Sequence, residues 1–268
     1  MNATDATDAT DAPDAAELPL VHEARYRVRF DEAGPDGLLR TSGLMRYAQD
    51  VAWQHSTALG FGRDWYLERG LTWLVRSAEL EVLAAIPMGV DVVAETRVLG
   101  QKRVWARRRG EFRDAAGGLL AWVHTDWVMI DARGGLTRIP EVFGEVFRIP
   151  EATGQITRVA LPPTPQGTAV RSFAVRPHEL DPMDHVNNAV YLDWLEEAVL
   201  AAGGEVGRAQ LAALPRRYSL EYAAAADAGM ALSDAAWRNE AGGWRYRLTG
   251  PDGSDAFRAA IDPSGGAP

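Results

Sequence analysis

Apolar and polar residues alternate from Ala24 to Phe30, with Arg25, Arg27 and Arg29 interleaved between Ala24, Tyr26, Val28 and Phe30, as on a half-buried strand. Gly34-Pro35-Asp36-Gly37 breaks that pattern as a turn. Thr41 or Ser42 is then placed to cap a helix with Leu44, Tyr47, Ala48, Val51, Ala52 and His55 on one face. The period next drops to two. Strands are predicted over 73–83, 90–99, 104–113 and 119–130, rich in Val, Trp and Thr and separated by short Gly- and Pro-bearing turns. Short turns between successive strands imply an antiparallel sheet. Prolines at 150, 162, 163 and 165 interrupt the periodicity over 150–169. After them the order repeats, with a strand over 171–176, a helix, and strands over 217–224, 230–238, 244–249 and 256–261.

The repetition extends to individual residues. At an offset of 147, Val28, Arg29, Pro35 and Tyr47 meet Val175, Arg176, Pro182 and Trp194. At an offset of 140, Leu80, Glu81, Ala84, Ala85 and Gly89 meet Leu220, Glu221, Ala224, Ala225 and Gly229. Ungapped matches through strand, turn and helix indicate an internal duplication. The expected division is an acidic low-complexity tail at 1–19, a first unit at 20–149, a linker at 150–169 and a second unit at 170–264.

The two copies differ at one place. Asp181-Pro182-Met183-Asp184-His185-Val186-Asn187-Asn188 precedes an apolar helix with Tyr191, Leu195, Ala198 and Ala202 at helical spacing and a stop expected at Gly203-Gly204. In the first copy Asp181, His185, Asn187 and Asn188 correspond to Gly34, Leu38, Arg40 and Thr41. A turn that needed these polar groups for its own stability would need an equivalent in both copies. With Asn188 as N-cap, an acid, an imidazole and two amides converge on backbone N–H groups that lack intrahelical acceptors and can polarise a carbonyl. That is an acyl-transfer site in outline, with Asp181, His185, Asn187 and Asn188 as candidate catalytic residues.

Composition narrows the chemistry. The chain has 268 residues and no cysteine, which removes disulfides, thiolate zinc sites and a cysteine nucleophile. A formal net charge of -9 argues against nucleic-acid binding as the main role. There is no apolar run of membrane-spanning length and no signal-peptide pattern near the first residue, so no membrane insertion and a cytoplasmic location are expected. The run Lys102, Arg103, Arg107, Arg108, Arg109 and Arg113 is either a solvated sheet face or a surface that steers an acidic partner.

A strand, a helix preceded by D-P-M-D-H-V-N-N, and four antiparallel strands resemble the hotdog fold of thioesterases. In tandem they resemble the fatty acyl-ACP thioesterase family over most of residues 23–262. The likeness also rests on Thr125-Asp126-Trp127-Val128-Met129-Ile130, on Arg138-Ile139-Pro140-Glu141 and on Leu220-Glu221-Tyr222. The resemblance implies an α+β tandem hotdog, two antiparallel sheets each wrapping a central helix. It implies an enzyme that hydrolyses acyl-ACP thioesters to free fatty acid, with no metal or organic cofactor, as a monomer of two fused hotdogs or a homodimer. Met183 stands where the family has asparagine, and Ala225 and Ala226 where it usually has Glu-Cys. The spacing of Asp181-Pro182 and Asn188 also resembles that of 4-hydroxybenzoyl-CoA thioesterases, which implies Asp181 as nucleophile or general base, the Asn188 N–H on the thioester oxygen and His185 orienting water or substrate. Asp227, two residues beyond Ala225, could supply a further carboxylate. An acyl-CoA thioesterase and a non-catalytic acyl-thioester binder remain open alternatives.

Overall fold

The computed structural model describes residues 21–152 and 154–263. The acidic segment at 1–19 lies outside the described residues. Strand β1 (Val21–Arg27) is followed by a single 3-10 turn, helix α1 (Thr41–Ala58), a short helix α2 (Arg63–Arg69) and strands β2 (Leu71–Val82), β3 (Asp91–Lys102), β4 (Trp105–Arg113) and β5 (Leu119–Asp131). Helix α3 (Glu141–Phe147) closes this half. The second half comprises β6 (Arg171–Ala174), α4 (Val190–Ala212), β7 (Arg216–Tyr222), β8 (Ala231–Arg238), β9 (Trp244–Thr249) and β10 (Asp255–Pro263).

The expectation of two sheets needs correction. All ten strands form one antiparallel sheet in the order β1-β3-β4-β5-β2-β7-β10-β9-β8-β6. The join is β2 against β7, its own counterpart in the repeat. Residues 140 apart pair directly at Glu79↔Ser219, flanked by Ala78↔Leu220 and Leu80↔Tyr218, so an internal two-fold passes through this seam. A free strand edge presents unpaired N–H and C=O groups, and antiparallel pairing of equivalent strands satisfies both edges at once. Across the same axis Arg46 donates to Asp193, its partner at the 147 offset.

Helix α1 packs on β1 and β3, α4 on β8, β9 and β10, and the two helices touch. Their apolar faces share one core, with Leu44, Val51, Leu80 and Phe112 from the first half and Leu192, Leu195, Leu220 and Phe257 from the second. Segment 150–169 crosses the sheet under polar ties. Buried Asp126 accepts a bidentate pair from Arg107 and the Thr157 N–H, buried Glu221 accepts the Val159 N–H and Arg158, and Arg247 donates to Thr164. Among the described residues no helix is long and apolar enough to cross a membrane.

Helix α4 departs from expectation at both ends. It does not stop at Gly203-Gly204; it kinks there, with Gly204 at φ 52° and ψ -126°, and continues to Ala212. Its N-cap is Ala189 rather than Asn188. Asn187 Oδ1 accepts the Ala189 N–H at 2.9 Å in the turn ahead of the helix.

Candidate active site

The turn before α4 is built like the turn before α1. A 3-10 turn capped reciprocally by Arg29 and Glu32 recurs with Arg176 and Glu179. Gly34 N–H to Leu38 O becomes Asp181 N–H to His185 O, both 2.8 Å, and Arg40 N–H to Glu32 O becomes Asn187 N–H to Glu179 O. Beneath it the Tyr47 hydroxyl donates to Glu32 and the Trp194 indole N–H to Glu179. The backbone therefore stands without the polar side chains. Asp184 takes φ 62° where its counterpart Gly37 has φ 75°. Aspartate tolerates this left-handed conformation better than most residues do.

Asp181, His185, Asn187 and Asn188 all line one cavity of about 1010 Å³. Asp181 Oδ1 accepts the Met183 N–H at 2.8 Å, and no hydrogen bond joins the carboxylate to the imidazole among the described residues. His185 Nδ1 is buried without a partner, and its Nε2 lies 4.0 Å from Asp227 Oδ1. The Asn188 N–H has no acceptor among the described residues, while its carbonyl accepts the Tyr222 hydroxyl at 3.0 Å. Tyr222 is buried, which pushes its phenol well above the usual range and keeps it a donor. The Asn187 side-chain oxygen is taken up by the Ala189 N–H. Met183 and Ala225 line the cavity and Ala226 is buried.

The first half supplies the rest of the chamber. Strand β7 pairs with β2 only from Ser77 to Val82, so residues 71–76 of β2 have β5 on one side and, among the described residues, no strand on the other. The cavity opens at this gap. Trp73, Val75, Tyr66, Phe143 and Phe147 line its apolar interior. Helix α3, which supplies Phe143 and Phe147, begins at the Arg138-Ile139-Pro140-Glu141 motif, with Pro140 as N-cap. Arg76 sits at a bulge in β2 and donates to Tyr222 O at 2.6 Å and Ala223 O at 2.7 Å, fixing the end of β7 beside the turn.

Arg76 carries no local signal of a site in the sequence; Tyr222 and α3 enter through the Leu220-Glu221-Tyr222 and Arg138-Ile139-Pro140-Glu141 motifs, and strand pairing brings them beside the turn. The basic run on β4 is largely neutralised within the sheet. Arg107 pairs with Asp126, and Arg109 and Arg113 pair with Glu111, so these side chains do not form a free basic face. Arg108 turns the other way, against α1, where its Nη1 donates to His55 Nδ1 at 3.0 Å. Its inward direction is legible in the strand period, since Ala106, Gly110 and Phe112 share its face.

Two central helices on one sheet, related by an internal two-fold and leaving a polar turn at the mouth of an apolar cavity, define a double-hotdog protein. Residues 19–147 match the acyl-ACP thioesterase N-terminal domain and residues 164–262 the acyl-ACP thioesterase C-terminal domain, and the chain belongs to this family. It is 26% identical over 194 residues to a chloroplastic palmitoyl-acyl carrier protein thioesterase of Cuphea hookeriana, covering 67% of this chain and 47% of that protein. The chain thus spans about half the length of the curated relatives it matches. Among solved structures, an oleoyl thioesterase from Lactobacillus plantarum superposes with TM-score 0.80 at 19% identity, over 92% of this chain and 96% of that one. A 12:0-ACP thioesterase from Umbellularia californica superposes with TM-score 0.75 at 20% identity, over 92% and 99%. These likenesses carry the fold.

Proposed function

We propose that this protein hydrolyses acyl thioesters, with acyl-ACP as the principal substrate, releasing free fatty acid and carrier thiol. The observation that supports this most is the single cavity that joins the Asp181–Asn188 turn to an apolar chamber made by the first half. An acyl chain buried among Trp73, Phe143 and Phe147 would present its thioester to the turn. Asp181, with Oδ1 on the Met183 N–H, would use its other oxygen to take a proton from water. The hydroxide adds to the thioester carbon, and the oxyanion receives the Asn188 N–H. The C–S bond then breaks and the thiolate takes the proton back from Asp181. His185 orients the water or the thioester, and Asn187 shapes the turn through its hydrogen bond from the Ala189 N–H. One donor typically contributes ~10²–10³ in rate and one positioned base ~10²–10⁴. Both walls come from one chain, so a monomer of units 20–149 and 170–264, joined by 150–169, suffices.

One observation favours a second reading. Met183 and Ala225 face the cavity where the resembling family has Asn and Glu, which suits a binder of acyl thioesters without turnover.

Fatty acid release from matched acyl-ACP and acyl-CoA series separates these readings. Release is expected to be faster from acyl-ACP, and Asp181→Asn is expected to lower kcat by ~10²–10⁴ with little change in KM. Tight binding with no turnover in the unaltered protein would sink hydrolysis in favour of the binder. Faster turnover of the CoA series would move the substrate to acyl-CoA.

A further inference from the structure

The far end of the cavity is not apolar. Arg108 on β4 lines the cavity and is 9% exposed, among Phe143, Phe147, Tyr66 and Ser56. Its guanidinium lies over the Phe147 ring at 6.0 Å. Its Nη1 donates to His55 Nδ1 at 3.0 Å and to Thr96 Oγ1 at 3.1 Å. Those two side chains are its hydrogen-bond partners among the described residues. Among the described residues no carboxylate pairs with it, although Arg107 and Arg109 on either side each have one. A guanidinium carries five N–H donors, and among the described residues no acceptor pairs with Nε or Nη2.

A buried cation with no counter-charge is expensive to keep. Burial pushes Arg108 down to about 10, which leaves it charged at neutral pH. The hydroxyls of Ser56 and Tyr66 lie at the same end, where the Trp73 indole also donates to Tyr66 at 3.1 Å. An alkyl terminus would have to displace water from this cluster and give it nothing in return. A terminus that accepts hydrogen bonds would complete it.

The separation from the reacting end suits one ligand that spans both. Arg46 lines the cavity and reaches Asp193 in the first turn of α4, beside the candidate site. His55, which holds Arg108, is nine residues further along the same helix, about 14 Å at the helical rise. That is the reach of a medium-length acyl chain.

We infer that the cavity selects medium-length acyl thioesters whose distal end carries a carboxylate, with Arg108 as the residue that recognises it. This deepens the thioesterase reading and rests on it for the word substrate, while the recognition itself can be read by binding alone. In a charge-assisted pair the Nε and Nη2 donors take the two carboxylate oxygens, and Ser56 and Tyr66 border the same group.

The test uses the full chain in two arms. The first measures calorimetric binding of a monocarboxylic fatty acid and of the dicarboxylic acid of equal length. The second measures kcat/KM for the two matching monothioesters, with the ω-hydroxy acyl thioester as an intermediate case. The unaltered protein is expected to favour the distal carboxylate by ~10–100-fold in both arms. Arg108→Met is expected to abolish or reverse that preference, and Arg108→Lys to retain part of it. Equal or weaker binding of the dicarboxylic acid by the unaltered protein overturns the inference, whether or not either variant folds. A preference that persists in Arg108→Met also overturns it, by placing the recognition elsewhere. Absence of turnover with the binding preference intact would reject the hydrolase reading and leave this one standing.

Discussion

Asp184 shows how closely the second turn copies the first, keeping a left-handed backbone that its counterpart Gly37 adopts freely. What distinguishes the turns is carried by side chains, chiefly Asp181, with one oxygen on the Met183 N–H, and His185, whose Nδ1 is buried without a partner. Tyr222 is different, since its hydroxyl holds the Asn188 carbonyl and thereby the orientation of the adjacent peptide groups. A pH effect belongs at this scale too. His124 is half-buried, and its Nε2 accepts from Arg109 at 2.8 Å. Burial first, then Arg109 and Arg107, push its pKa from 6.5 to about 4. Between these values the unfolded chain binds a proton that the folded chain refuses. The contribution of neutral His124 is therefore complete above pH 6.5 and is lost as pH falls towards 4. Urea midpoints taken from neutral pH down to 4 are expected to fall less steeply in His124→Gln than in the unaltered protein; equal slopes would reject this assignment.

At the scale of elements, β4 and α4 carry most of the lesson. On β4 a run that reads as one basic patch is sorted by the strand period into Arg107, Arg109 and Arg113, paired on one face, and Arg108 on the other. On α4 two glycines that read as a stop produce a kink instead. A Cβ on Gly203 would meet the Trp244 ring, so close packing explains that glycine. Gly204 has open space around it and is required by its backbone alone. Gly204→Ala is expected to destabilise the protein by about 1–3 kcal/mol through that strain, read as a lowered denaturation midpoint with the fold retained. An unchanged midpoint would mean that the kink relaxes without cost.

For the whole molecule, the seam between β2 and β7 decides how the halves behave. Glu221, 1% exposed at this seam, accepts from Arg158, the Val159 N–H and Arg258. It therefore ties the segment at 150–169 to the second half. With one sheet and one apolar core, the halves are expected to unfold together. Hydrogen exchange in β4 and in β9 should show the same denaturant dependence. Glu221→Gln should shift both together, at a cost of about 1–3 kcal/mol, because it weakens the charge-assisted hydrogen bonds that a buried carboxylate accepts. Two separate transitions would show that the seam does not couple them.

Local pattern by itself determined the strands, the two central helices, the duplication and the one turn whose polar residues the duplication does not explain. Those features depend on periodicity and on comparison of one stretch with another, both of which are written along the chain. Strands β2 and β9 fall close to their predicted spans for that reason. That the two halves form one sheet was settled in three dimensions, because an edge strand's partner is set by which surfaces meet in space. For the same reason Arg76 and Tyr222 joined the turn, and Arg108 came to lie at the end of the cavity. Their positions follow from register across strands 140 residues apart in the chain, a relation that no local periodicity encodes.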